Sequence, residues 1–167
     1  MNYAQIRKMD ISNGPGIRVS LFVSGCRFHC LGCFNKEAQD FNFGKQYTQE
    51  TEDIIYNEVM KPHVQGLSIL GGEPLHQNAE GLAQLTKLCK RIYKHKNIWL
   101  WTGYKFETAV KDDKLKQLIS LCDVIVDGQF DYNKKDYTLL YRGSSNQRVI
   151  NVYSSLKLGE VIEELGF

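Results

Sequence analysis

The feature that most limits what this chain can be is a run of three cysteines spaced C-x3-C-x2-C, Cys26-Arg-Phe-His-Cys30-Leu-Gly-Cys33. Thiols this close in sequence are metal ligands or catalytic groups more often than disulfide partners, and five cysteines in all is an odd count for a disulfide framework. Thiolate is the soft ligand that iron–sulfur chemistry selects. Three thiolates on one loop can hold three corners of a cubane [4Fe–4S] cluster and leave its fourth iron open. Cys89 and Cys122 lie far along the chain, on apolar helical faces, and read as small core residues. Two other readings stay open on spacing alone: a zinc knuckle using these thiols, and a cluster that only carries electrons. Structural zinc favours paired knuckles, whereas here the cysteines share one. His29 sits inside a ligand interval and reads as a loop residue.

The 167 residues suit one domain over the whole chain, 1–167. With 43% hydrophobic and 24% charged residues and a net charge of +2, the composition is that of an ordinary globular protein. No polybasic run points to nucleic acid or membrane. Residues 1–12 lack the apolar core of a signal peptide, and no apolar run approaches the ~20 residues of a membrane span, so a cytoplasmic location is expected.

Strands are expected at 17–23, 66–70, 98–101, 124–126 and 148–153. Helices are expected at about 50–60, with Thr48 or Thr51 as cap, and at 78–94, 113–121 and 157–165. The segment after Phe130 is polar and resists assignment. Trp99 and Trp101 alternate with Ile98 and Leu100, as in a strand buried on both faces, and the lysines of 87–96 read as a solvated face. Strands alternating with helices predict an α/β fold with a mostly parallel sheet. In such sheets chemistry gathers beyond the C-terminal strand ends. The cysteine loop, Gly71-Gly72-Glu73-Pro74, Thr102-Gly103 and Asp127-Gly128 each follow a strand and are expected to meet there. The two glycines at 71 and 72 would let a ligand approach the backbone closely. Thr102 can bond a ribose or carboxylate, and Asp127 a ribose or a cation. His63, His76 and His95 have no partner pattern and read as surface or loop side chains.

The C-x3-C-x2-C spacing followed by GGE resembles the radical S-adenosylmethionine (SAM) superfamily. That resemblance implies a cluster on Cys26, Cys30 and Cys33, with SAM on the open iron. It also implies that Gly71, Gly72 and Glu73 take the methionine ammonium group, and that Gly32, Cys33 and Phe34 lie along the adenine. Most members carry an aromatic residue just before the last cysteine; here Gly32 stands there and Phe34 follows. NGPGIR (13–18), SGCRFHCLGCFN (24–35), GGEPLH (71–76), WTGYK (101–105), VDGQF (126–130) and RGSSNQR (142–148) together resemble one family, the activating proteins of anaerobic ribonucleoside-triphosphate reductases. The implied fold is a partial, open (β/α) barrel, since a closed one needs ~250 residues. The implied activity is reductive cleavage of SAM and abstraction of a glycine Cα hydrogen on the reductase, with a flavodoxin or ferredoxin-type donor. Some related activases carry a lysine two residues after the aspartate; here it is Gln129. A radical SAM enzyme acting on a small molecule, of the 7-carboxy-7-deazaguanine synthase type, is the alternative that RGSSNQ argues against.

Overall fold

The computed structural model describes residues 1–164. Seven strands form one open mixed sheet: β1 (Asn2–Asp10), β2 (Arg18–Val23), β3 (Lys45–Gln46), β4 (Gly66–Gly71), β5 (Asn97–Thr102), β6 (Val124–Asp127) and β7 (Arg148–Asn151). Their spatial order is β3-β1-β2-β4-β5-β6-β7. The middle of the sheet, β2-β4-β5-β6, is parallel, while β1, β3 and β7 add antiparallel edges. The helices are α1 (Gln49–Val59), α2 (Ala79–Ile92), α3 (Phe106–Ala109), α4 (Asp113–Ile119) and α5 (Val152–Leu158).

Central strands of a covered parallel sheet lose both faces to packing, so they read as near-continuous apolar runs. Leu21, Ile69, Leu100 and Ile125 point from such strands into the main core, where they meet Ile55 and Val59 of α1, Leu85 and Leu88 of α2, and Leu118 and Ile119 of α4. Cys89 and Cys122 belong to this core. The opposite face carries a smaller cluster, Trp99, Val124, Val126 and Val149, against which Trp101 and Tyr141 pack. Thr48, not Thr51, caps α1: its side chain accepts from the Thr51 N–H.

Three expectations change. The strand β1 was not expected, because most of its side chains are polar and only Asp10 is buried, leaving no apolar alternation to read. The last strand ends at Asn151 rather than 153, since the Asn151 side chain accepts from the Ser154 N–H and starts a helix. That helix spans Val152–Leu158 and stops at Gly159, so the helix expected at 157–165 is not formed over 159–164; residue 165 lies outside the described residues. The polar stretch after Phe130 holds a short 3₁₀ turn, Tyr132–Lys134, and an isolated antiparallel bridge, Lys135↔Ser144, before β7.

A buried cation ties the near ends of the parallel strands together. Arg18 is fully buried and donates from Nε to Ser68 Oγ (2.6 Å), from Nη1 to Asn97 Oδ1 (2.6 Å) and from Nη2 to the Leu67 carbonyl (2.7 Å), bridging β2, β4 and β5. Ser68 in turn donates to the Asn13 carbonyl (2.6 Å), anchoring the turn before β2. Burial pulls the Arg18 pKa down to about 10, so it stays charged at neutral pH. Arg18→Met keeps the volume but strips several buried acceptors of their donor. It is expected to lower stability by about 3 kcal/mol, read as a lower urea midpoint.

Candidate active site

The loop after β2 carries the three cysteines and is held by the segment that returns beside it. Gly25 N–H donates to the Ala38 carbonyl (2.7 Å) and Cys26 N–H to the Gln39 carbonyl (3.0 Å). Within the loop Cys33 N–H donates to the Cys30 carbonyl (3.2 Å). All three thiols are half-buried and line one cavity of about 580 Å³. Gly71, Gly72 and Glu73 after β4, Thr102 and Gly103 after β5, and Gly128 and Gln129 after β6 line the same cavity, so the four strand ends converge.

The turn after β4 locks against the cysteine loop. Gly72 N–H donates to the Val23 carbonyl and Glu73 N–H to the Gly25 carbonyl, both at 2.8 Å. The space the two glycines leave is taken by this chain's own backbone. A Cβ on Gly71 would lie 2.6 Å from Val23 N and O, and one on Gly72 2.6 Å from the Gly25 and Ala38 carbonyls. Gly71 also has φ +114°, where a side chain is strained. Close packing of two loops therefore accounts for the pair without a ligand.

Glu73 is the buried charge of the site. Its carboxylate accepts from Leu75 N–H (3.0 Å), Thr102 Oγ1 (2.8 Å) and Gly103 N–H (2.7 Å). Burial pushes its pKa up to about 7, and the three donors only partly counter that. Thr102 thus bonds a carboxylate, but one of this protein.

Cys33 and Phe34 line the cavity, whereas Gly32 underlies the Tyr132 ring, 2.5 Å from where its Cβ would stand. Asp127 is fully buried with its carboxylate turned away into the protein: Arg148 Nε donates to Oδ1 (2.9 Å) and Phe106 N–H to Oδ2 (2.8 Å). The same Arg148 reaches Glu107 at 2.9 and 2.8 Å, and those hydrogen bonds hold the Glu107 carboxyl down to about 2. The cations that meet Asp127 are therefore Arg148 and, at 4.0 Å, Lys105. His29 is exposed and hydrogen-bonds Gln39 Oε1 (3.0 Å) through Nδ1.

Residues 12–150 match the family described as 4Fe-4S single cluster domain. The chain is 43% identical over 152 residues to the anaerobic ribonucleoside-triphosphate reductase-activating protein of Escherichia coli strain K12, covering 89% of this chain and 97% of that protein. It is 41% identical over 150 residues to the protein of that name from enterobacteria phage T4 (89% and 93% covered). The Vibrio cholerae protein of the same name is 43% identical over 150 residues (88% and 96% covered). This chain belongs to the family of anaerobic ribonucleoside-triphosphate reductase-activating proteins.

The site suits the cluster of this family by its donor chemistry. Three sulfurs line the cavity; burial raises the Cys26 and Cys30 thiol pKa values, with the neighbouring Cys33 adding to the rise at Cys30, so these thiols keep their protons until metal displaces them. In this activating-protein fold the RGSSNQR string acts as a clamp. Gln147 Oε1 accepts from Gly143 N–H (2.8 Å) and Ser144 N–H (3.2 Å), its Nε2 donates to the Gly128 carbonyl (2.9 Å), and Asn146 Nδ2 donates to the Gln129 carbonyl (2.8 Å). The polar segment from Phe130 is thereby fastened across the cavity.

Two residues at the site were not expected. His76, read as a surface or loop side chain, is buried and its Nδ1 accepts from the Arg27 N–H (3.0 Å). Gln77 Nε2 donates to the Ser24 carbonyl (2.9 Å) and the Glu73 carbonyl (3.2 Å). Their nearness to GGE in sequence was the available signal.

Between about pH 4.5 and 7 the folded apoprotein holds the Glu73 proton that the unfolded chain releases, so stability falls as pH rises through that window. Over the window the loss is on the order of 3 kcal/mol. Glu73→Gln is expected to flatten this slope, measured from urea midpoints at its two ends. Arg148→Met leaves the buried Asp127 only the Phe106 N–H and Lys105 Nζ at 4.0 Å, and is expected to cost about 3 kcal/mol, also by urea denaturation.

Proposed function

We propose that this chain is a radical SAM enzyme that generates a glycyl radical on its cognate anaerobic ribonucleoside-triphosphate reductase. The observation that carries this reading is the placement of Cys26, Cys30 and Cys33 on one cavity at the C-terminal ends of parallel strands, in a chain that belongs to the activating-protein family. Cys26, Cys30 and Cys33 would hold three corners of the cluster. When bound, the cluster supplies the electron that cleaves SAM to methionine and a 5′-deoxyadenosyl radical, which takes a Cα hydrogen from a glycine of the reductase.

This chain's own residues bind, orient and shield. Glu73 and the backbone at Gly71 and Gly72 would take the methionine ammonium, a cation that needs acceptors in a dry place. Thr102 and Gly103 act through Glu73, since their donors fix its carboxylate. Gly32, Cys33 and Phe34 would lie along the adenine. Asp127 positions rather than binds: it holds the Phe106 N–H at the foot of the turn that follows Thr102. No charged side chain stands at Gln129, so a lysine contact to the SAM carboxylate is missing from that place.

The open sheet is best read as the partial (β/α) barrel of radical SAM enzymes, formed as one domain over 1–167. Its mouth suits a protein substrate. Phe34 and Tyr137 line the cavity and are 65% and 82% exposed, and Leu31, Tyr132 and Leu140 on the same loops are also exposed. Apolar side chains left in water around a catalytic cavity fit a partner loop that must exclude water from a radical. A flavodoxin or ferredoxin-type protein would supply the electron, in the cytoplasm; no helix of the described residues is long and apolar enough to cross a membrane.

Anaerobic incubation of the reconstituted protein with SAM, reductant and the reductase, followed by EPR, is expected to show a glycyl doublet. Cys26→Ala, Cys30→Ala and Cys33→Ala should each reduce SAM cleavage to background, while Cys89→Ala and Cys122→Ala keep it. A colourless protein without iron and sulfide, or wild-type cleavage in any of the first three variants, would overturn the reading.

A further inference from the structure

The backbone amides of the cysteine loop are divided among distinct acceptors. Cys26 N–H goes to the Gln39 carbonyl. Phe28 and His29 N–H both turn toward the Cys26 sulfur. Arg27 N–H lies between these and goes to neither backbone nor sulfur, but to Nδ1 of His76 at 3.0 Å. His76 comes from the 3₁₀ turn Pro74–His76 that follows Glu73, and it is 8% exposed.

The same ring also packs the loop. Its centroid lies 4.5 Å from that of Phe28 and 5.4 Å from that of Tyr104, and Phe28 meets Tyr104 at 5.2 Å. Phe28 further lies against Gly103, where a Cβ would come within 2.5 Å of its ring. Arg27 and Phe28 are two of the three residues between the first two cysteines. One imidazole from another strand end thus gives that interval both a hydrogen bond and a ring contact, beside the packing of Phe28 on Tyr104 and of Arg27 on Phe41.

We propose that His76 is a positioning residue that holds the Cys26–Cys30 interval so that the Phe28 and His29 amides point at the Cys26 sulfur. With Cys26 holding a corner of the cluster as proposed above, this hydrogen bonding stabilises the electron-rich reduced state and raises the cluster potential into reach of a protein donor. Hydrogen bonds to cluster sulfurs are among the main controls of such potentials. The acceptor role requires Nδ1 to be free of a proton, which places the ring proton on Nε2. Burial lowers the His76 pKa, which favours that neutral form. His76 touches neither the cavity nor a thiol, so it works only through Arg27 and Phe28.

Two substitutions separate the acceptor from the packing. His76→Phe keeps a ring against Phe28 and Tyr104 but offers Arg27 no acceptor. His76→Asn sets Oδ1 where Nδ1 stands and restores one. In the apoprotein, followed by amide exchange, His76→Phe is expected to exchange the Arg27, Phe28 and His29 amides roughly tenfold faster than wild type, as loss of a sheltered hydrogen bond implies. His76→Asn should recover most of that protection. In the anaerobically reconstituted protein, EPR-monitored redox titration should give His76→Phe a more negative midpoint potential at unchanged iron and sulfide content, and His76→Asn a value near wild type. An unchanged or more positive potential in fully loaded His76→Phe overturns the role, as does unchanged amide exchange. A wild type that assembles no cluster would instead overturn the cluster reading itself, while the exchange result would still test the anchoring of the loop.

Discussion

The site depends on two loops from neighbouring parallel strands packing backbone against backbone. The cysteine loop has too little hydrogen bonding within itself to hold three thiols in place; it borrows its rigidity. Glu73 N–H and Gly72 N–H bond into Gly25 and Val23, Gln77 ties to Ser24, and His76 takes the Arg27 amide. Each contact joins the end of β2 to the end of β4, whose own parallel pairing runs in register from Arg18↔Gly66 to Val23↔Gly71. A ligand loop pinned to a rigid strand end can keep its thiols in place while the cluster changes charge.

The same logic extends sideways across the sheet. Glu73 is fixed by donors at the end of β5, and Asp127 at the end of β6 accepts from Phe106 just beyond that turn. Gly128 N–H meets the Tyr104 carbonyl (3.1 Å). The polar residues at successive strand ends therefore bond first to one another. Buried polar groups must find partners, and a rim of strand ends has few backbone groups left to offer. What faces the cavity includes sulfur, glycine backbone, the shielded Glu73 carboxylate and aromatic edges, with Asn35, Gln129 and Arg142 among its polar side chains.

This accounts for what could and could not be read from the sequence. Central strands were legible because burial on both faces writes an apolar run, as in RVSLFV and NIWLWT. The strand β1, next to the short edge strand β3, was not, because its side chains are mostly polar and its partners are supplied by tertiary pairing. The cysteines were legible because their chemistry demands their spacing. Asp127 was legible as a strand-end polar residue, but its partner Arg148 lies 21 residues away, and only the antiparallel pairing of β6 with β7 sets the two opposite each other. His76 was the hardest to see: a lone histidine carries no pattern, and its acceptor role arises from a backbone N–H 49 residues earlier. The glycines at 71 and 72 were visible as a motif, yet their cause is a neighbouring loop, which no linear pattern records.

Leaving the sheet open at β3 and β7 has a consequence for how the cavity is covered. A closed barrel would wall the cavity with strands, whereas here the polar segment 131–147 lies across it, held at its far end by Gln147 on the Gly128 carbonyl. Between its ends the segment folds back on itself at the bridge Lys135↔Ser144, is tied to β5 where Trp101 Nε1 donates to the Tyr141 carbonyl (2.7 Å), and contributes rings: Tyr132 over Gly32, and Lys135 Nζ 5.1 Å from the Phe34 ring centroid and 4.5 Å from that of Tyr137. Cation–π contacts at exposed sites contribute only about 0.5–1 kcal/mol each. The cover is therefore anchored at Tyr141 and at Gln147, and only its ring contacts around Phe34 are weak. Those ring contacts can yield to a protein loop without loosening the strand ends beneath, because the bonds that fix Cys26, Glu73 and Asp127 do not pass through them.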